Sequence, residues 1–171
     1  MINNIPELVG SRICLRPFKI EDSQDLFEYA SNEITMQYID WGPFRTVIEA
    51  ENYIKNSNKG VYEWAIELIQ LKKVIGSIVV YSITTSNTCE IAFIISQKYW
   101  NNGYATESIN TLLLFLSKIG IKKVYAKHVT ENIASGCALL KAGFHVFNKY
   151  EKKFKLKTGE ELNCIEYEYI I

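Results

Sequence analysis

Asn101, Asn102 and Gly103 stand between a β-branched and aromatic run, Cys89 to Ile95, and an apolar helical pattern that opens at Tyr104. Asn and Gly reach unusual backbone angles most easily, and a helix starting there offers unpaired N–H groups and the positive end of its dipole. A turn of this kind can cradle an anionic pyrophosphate on main-chain donors alone. The chain has no GxGxxG and no GxxxxGK followed by Ser or Thr, so both common nucleotide signatures are absent. Taken alone, the loop is equally a plain strand-to-helix turn shaped by Gly103. A second polar pair, Asn132 and Ser135, opens a short helix that Asn132 caps. The segment Ile34 to Arg45 carries Met36, Tyr38, Trp41 and Phe44 and reads as an aromatic wall for a bound molecule.

Other reactive residues point away from chemistry. Cys14, Cys89, Cys137 and Cys164 are scattered without a CxxC pair or a histidine array, as expected of small buried hydrophobes with no metal and no disulfide. His128 and His145 have no Ser or Cys partner nearby in sequence and read as structural.

The elements that must position these residues follow from periodicity. Arg12 to Arg16 alternates as a strand that Pro17 stops, Asp22 to Ala30 is a helix with Leu26, Phe27 and Ala30 inward, and Thr46 opens a second helix with Glu49 as capping-box partner. Strands are expected near Val61 to Ile69 and Lys73 to Ser82, followed by Cys89 to Ile95. Ala105, Ile109, Leu112, Leu113, Leu116 and Ile119 recur at helical spacing until Gly120. Val124 to Val129 is a strand, Gly143 ends the helix opened by Asn132, and the tail forms two strands across a turn at Lys157 to Gly159. The sum is an α/β (α+β sandwich) fold of about seven mixed strands and about four helices in one domain, residues 1–171. The alternating final strand, Asn163 to Ile171, is read as an edge open to a neighbouring strand or a second subunit, so monomer and homodimer both stand.

The chain of 171 residues balances 19 basic against 19 acidic residues, which argues against a broad nucleic-acid footprint. The cluster Lys149, Lys152, Lys153, Lys155 and Lys157 is read as a solvated hairpin, with RNA or an acidic partner as the alternative. No signal peptide and no run of about 18 apolar residues is visible, and the expected setting is cytoplasmic without membrane contact.

Several pieces together resemble the GNAT acetyltransferase superfamily and, within it, the RimJ/RimL branch of ribosomal-protein N-terminal acetyltransferases. Trp100 to Ala105 (WNNGYA) is similar to the later half of the acetyl-coenzyme A motif Gln/Arg-x-x-Gly-x-Gly/Ala, with Trp100 replacing the Gln or Arg as that branch does. Gly76-Ser77-Ile78, Glu90-Ile91-Ala92-Phe93, Asn132-Ile133-Ala134-Ser135 and Lys141-Ala142-Gly143-Phe144 follow in the family's order. Leu15-Arg16-Pro17 and Trp41-Gly42-Pro43 also look like this branch, so the likeness runs from about residue 12 to the end.

The resemblance implies the GNAT fold and an acetyl-CoA-dependent N-acetyltransferase without metal, in which an amine attacks the thioester directly. It assigns acetyl-CoA to Phe93, Ile94, Ile95, Trp100, Asn101, Asn102, Gly103, Tyr104, Ala105, Thr106, Asn132 and Ser135, with the Ile94 N–H as oxyanion donor. Glu90 becomes the base, directly or through water, with Glu107 as a rival better suited to stabilising its helix. Ser135 becomes the group that protonates, or hydrogen-bonds, the departing thiolate. The implied acceptor is a protein or peptide N-terminal amine, about a tenth of which is already neutral at pH 7. A small amine such as a polyamine, an amino-sugar drug or an amino-acid derivative is the alternative. An open groove would suit the peptide, whereas Tyr38, Trp41, Phe44 or Trp64 closing a pocket would suit the small amine. A silent acyl-coenzyme A sensor is the reading from a different class.

Overall fold

The computed structural model describes residues 5–57, 62–156 and 158–171, apart from the side chain of Lys153. Val61 and Lys157, where the sequence places a strand start and a turn, lie outside these residues. Among the described residues eight strands form one sheet: β1 (Leu8–Val9), β2 (Ile13–Arg16), β3 (Tyr62–Leu68), β4 (Lys73–Tyr81), β5 (Thr88–Ile95), β6 (Lys123–Val129), β7 (His145–Lys155) and β8 (Glu161–Ile170). Five α-helices accompany them: α1 (Ser23–Ala30), α2 (Glu33–Met36), α3 (Val47–Asn56), α4 (Tyr104–Lys118) and α5 (Ile133–Lys141). The expectation of about seven strands and four helices misses β1 and α2, which are too short to show a period.

The order across the sheet is β1-β2-β3-β4-β5-β6-β8-β7, and only β5 with β6 runs parallel, the crossover being made by α4. The order places β8 inside the sheet between β6 and β7, so of the two expected partners for the last strand it takes neighbouring strands of its own chain, and the edge at this end of the sheet is β7. The tail folds back because β7 forms a hairpin with β8 before β8 reaches β6.

Alternation along the strands gives two apolar layers. On one face Ile13, Leu15, Trp64, Ile78, Ile91 and Ile95 pack with Ile109, Leu112 and Leu116 of α4 and Leu139 of α5. On the other, Leu26 and Tyr29 of α1, Met36 of α2 and Ala50 and Ile54 of α3 cover Ala65, Val74 and Ile94. Among the described residues this second layer contains none from β6, β7 or β8. Ile119, expected inward, is 43% exposed because α4 has ended at Lys118 and Gly120 turns the chain at φ +84°.

Local chemistry fixes the starts of the helices. Thr46 Oγ1 accepts the Glu49 N–H at 3.3 Å, while Glu49 reaches back to the Arg45 N–H at 2.7 Å rather than to the cap residue. The Leu15-Arg16-Pro17 segment is held by a buried fork: Arg16 donates to both oxygens of Asp22, at 2.7 and 2.8 Å, and to Glu67 at 2.7 Å.

Candidate active site

The glycine loop hangs on a residue far away in sequence. Asn101 and Gly103 take left-handed φ values of +61° and +80°, turning the chain into α4 without a side-chain cap. The first α4 donor with a main-chain partner is the Glu107 N–H, on the Gly103 carbonyl at 3.0 Å. The N–H groups of Tyr104, Ala105 and Thr106 therefore point out of the helix start, the arrangement that receives an anion. Arg12 braces this turn: its N–H and Nε donate to the two Glu107 oxygens at 2.7 Å each, its Nη1 donates to the Asn102 carbonyl at 3.1 Å, and its guanidinium lies 4.7 Å from the Tyr104 ring centre. Burial alone would raise the Glu107 carboxyl, but the Arg12 donors outweigh it and hold the carboxyl below its ordinary value. No local sequence signal ties Arg12 to this loop.

The loop faces a gap in the sheet. β5 pairs with β6 only from Thr88 to Ile91, against Lys123 to Ala126, yet stays paired with β4 through Ile95. Past Ile91 the backbone groups of β5 that face β6 have no strand partner among the described residues. The Ser96 N–H donates to the Ile75 carbonyl at 2.7 Å, and backbone direction alternates along a strand, so the Ile94 N–H also faces β4. This corrects the expected oxyanion donor: the N–H groups turned to the gap are those of Phe93 and Ile95. Trp100 closes the end of the gap, its Nε1–H donating to the Ile95 carbonyl at 2.7 Å, which gives the Trp in the WNNGYA segment a physical reason.

α5 forms the opposite bank. Asn132 Oδ1 accepts the Ser135 N–H at 3.2 Å, and the Ser135 hydroxyl makes no hydrogen bond among the described residues. Thr106 Oγ1 donates to the Ala138 carbonyl at 3.4 Å and so ties α4 to α5. Phe93, Ile94, Ile95, Trp100, Asn101, Gly103, Tyr104, Ala105, Thr106, Asn132 and Ser135 line one cleft of about 460 Å³, joined by Ile34, Thr35, Gln37, Tyr38 and Ile39 in and after α2 and by Cys137 and Lys141 of α5. Asn102 is not part of the lining and turns its amide back to the carbonyls of Trp100 and Tyr99, at 2.9 and 3.3 Å. Cys137 corrects the expectation of four buried cysteines: Cys14, Cys89 and Cys164 are buried, whereas Cys137 is exposed in the cleft.

Glu90 lies on the far face of β5, outside the cleft lining and 38% exposed, with Oε2 3.1 Å from Lys127 Nζ; Lys127 also reaches Glu166 at 3.3 Å. Among the expected acceptor residues only Tyr38 lines the cleft. Trp41 stacks instead on Tyr53 and Phe44 packs tilted against it, ring centres 5.1 and 5.8 Å from that of Tyr53. Trp64 is a correction: fully buried under α4, it donates its Nε1–H to the Pro6 carbonyl at 2.9 Å, because its place on β3 points to the opposite face.

Sequence reasoning missed a buried acidic residue in the second layer. Tyr53 donates its hydroxyl to Glu63, 2.9 and 3.0 Å from the two oxygens, and burial pushes the Glu63 carboxyl up. Tyr81, the cross-strand partner of Glu90, has its phenol pushed up by burial and then by the charges of Glu63, Asp40 and Glu90.

A strand pair that parts beside a helix-start anion turn suits an extended acyl-thioester arm ending in phosphates. The family model for the acetyltransferase (GNAT) domain matches residues 12–145, and the chain belongs to that family. It is an N-acetyltransferase that draws its acetyl group from acetyl-CoA. It is 31% identical over 139 residues to the uncharacterized N-acetyltransferase YnaD of Bacillus subtilis, covering 80% of this chain and 81% of that one. A Vibrio cholerae protein assigned as a ribosomal-protein-serine acetyltransferase superposes with a TM-score of 0.85 at 20% identity, over 97% of this chain and 98% of that one. The Vibrio cholerae spermidine N-acetyltransferase, in complex with CoA and spermine, superposes with a TM-score of 0.78 at 21% identity, over 94% and 96%.

Proposed function

We propose that the chain transfers acetyl from acetyl-CoA directly to the N-terminal amine of a protein or peptide, in the manner of the RimJ/RimL branch. The observation that carries this reading is the unclosed acceptor side. Trp64 is in the core, Trp41 and Phe44 pack on Tyr53, and among the described residues the second apolar layer takes no member from β6 or β8, the strands beside Glu90. An extended chain end has room there.

In this mechanism the amine nitrogen attacks the thioester carbon, the N–C bond forms and the C–S bond breaks. The amine's proton passes to Glu90 through water. The Phe93 and Ile95 N–H groups face the developing oxyanion, and Ser135 donates to the departing sulfur. The phosphates rest on the Tyr104 to Thr106 N–H groups, and Asn132 meets the pantetheine arm.

A second reading, a small cationic amine, is favoured by the half-exposed carboxylate of Glu90 opposite Tyr81, with Asp40 acting on the same phenol. Thiol release from acetyl-CoA is the test, run against peptides with Ala, Ser and Met N-termini, polyamines and aminoglycosides. Turnover with peptides supports the first reading and turnover with polyamines alone replaces it. No turnover with any acceptor, while acetyl-CoA still raises the melting temperature, would promote the acyl-coenzyme A sensor.

A further inference from the structure

His128 is a buried histidine outside the chemistry above, and its hydrogen bonds are unusually specific. Its Nδ1 lies 2.6 Å from the Val129 carbonyl, which can only accept, so Nδ1 carries the proton. Nε2 is then the acceptor for the Tyr167 hydroxyl, 3.1 Å away on β8. Burial holds the imidazole below its ordinary pKa, consistent with this neutral form.

The two ends of the pair grip the two ends of the α5 start. The Val129 carbonyl that receives Nδ1–H also receives the Asn132 N–H, at 2.9 Å. At the other end, a Cβ placed on Gly136 would stand 2.7 Å from His128 Nε2 and 3.0 Å from the Tyr167 hydroxyl. Position 136 must therefore be glycine for the helix to sit this low on the pair. Asn132 and Ser135 lie between these two anchors.

We propose that His128 and Tyr167 are positioning residues of the cofactor site, a buried pair that sets the height and rotation of the first α5 turn so that Asn132 and Ser135 face the cleft. The proposal rests on the reading that coenzyme A occupies this cleft. It separates the role of the pair from general core packing, because its effect must pass through Asn132.

The test is a double-mutant cycle on coenzyme A affinity, measured by calorimetry for the wild type, Tyr167→Phe, Asn132→Ala and the double variant. Tyr167→Phe is expected to weaken binding about fivefold in the wild-type background and less than about twofold once Asn132 is alanine. An equal loss in both backgrounds, or no loss in either, overturns the proposal. Should Tyr167→Phe fail to fold, His128→Gln, which gives up the Nδ1–H to Val129, is carried through the same cycle with the same expectation. Wild-type protein that binds no coenzyme A would instead overturn the assignment of the cleft.

Discussion

Glu90 and Lys127 form an ion pair of 3.1 Å across β5 and β6 at the point where those strands part. The lysine Nζ holds the carboxylate that, under the proposed mechanism, takes up the acceptor amine's proton through water. Lys127 is therefore a built-in competitor for the proposed base.

Glu90→Gln keeps the shape of the side chain and removes its basicity. Steady-state thiol release should show kcat lowered by about a hundredfold. Lys127→Met should lower the acceptor KM by up to about fivefold, the scale of a half-exposed ion pair, and leave the acetyl-CoA KM unchanged. Full activity in Glu90→Gln would reduce the carboxylate to a partner of Lys127.

Arg12 touches the anion turn at Asn102, Tyr104 and Glu107. Replacing it with alanine removes the side-chain donors to Glu107 and to the Asn102 carbonyl and leaves Glu107 only the main-chain N–H of position 12. Coenzyme A affinity, followed by calorimetry, should fall about tenfold, as for a hydrogen bond to a charged group. An unchanged affinity would mean that α4 holds the turn unaided.

Two glycines should respond differently to alanine. A Cβ on Gly76 would run into the Ile94 carbonyl, forcing apart the β4–β5 pair that frames the gap. Gly120 has φ +84° but no atom within 4 Å of its missing Cβ, so only the backbone conformation is strained. In denaturant unfolding Gly76→Ala should cost more than about 2 kcal/mol and Gly120→Ala about 1 kcal/mol. Equal costs would contradict the steric account.

Glu107 makes stability depend on acid. Its folded carboxyl titrates below its unfolded value of 4.5, so the stabilisation is complete above that pH and is lost as pH falls through the lower folded value. The melting temperature of the wild type should therefore drop below about pH 4.5, and that of Glu107→Gln should fall less steeply over the same range. Parallel curves would remove Glu107 from the account.

What the sequence made legible was what local chemistry decides. Thr46 and Asn132 announce their helices by side chains that cap main-chain groups three residues on. Gly103 announces its turn by its freedom of φ. Trp64 was misplaced for a different reason: the alternation in Tyr62–Leu68 sets Trp64 opposite Glu63 and Glu67, but it does not say which of those two faces packs under α4. The Ile94 N–H was misassigned for a related reason: backbone direction on β5 is fixed by its pairing with β4, which is set by residues elsewhere in the chain. Arg12 meets Glu107 across 95 positions, a distance no spacing rule reports.

The parting of β5 from β6 opens a passage through the sheet. Side chains of Ile91 and Ile95 lie with α4, while Ile94 lies with α1 to α3 and Glu90 shares its side of the strand. Under the proposed roles the acyl donor and the amine arrive from opposite sides, like two visitors using separate doors. Spent coenzyme A would then compete with fresh donor but leave the amine's entrance clear. A single inhibitor copying both substrates at once would have to be threaded through the sheet itself.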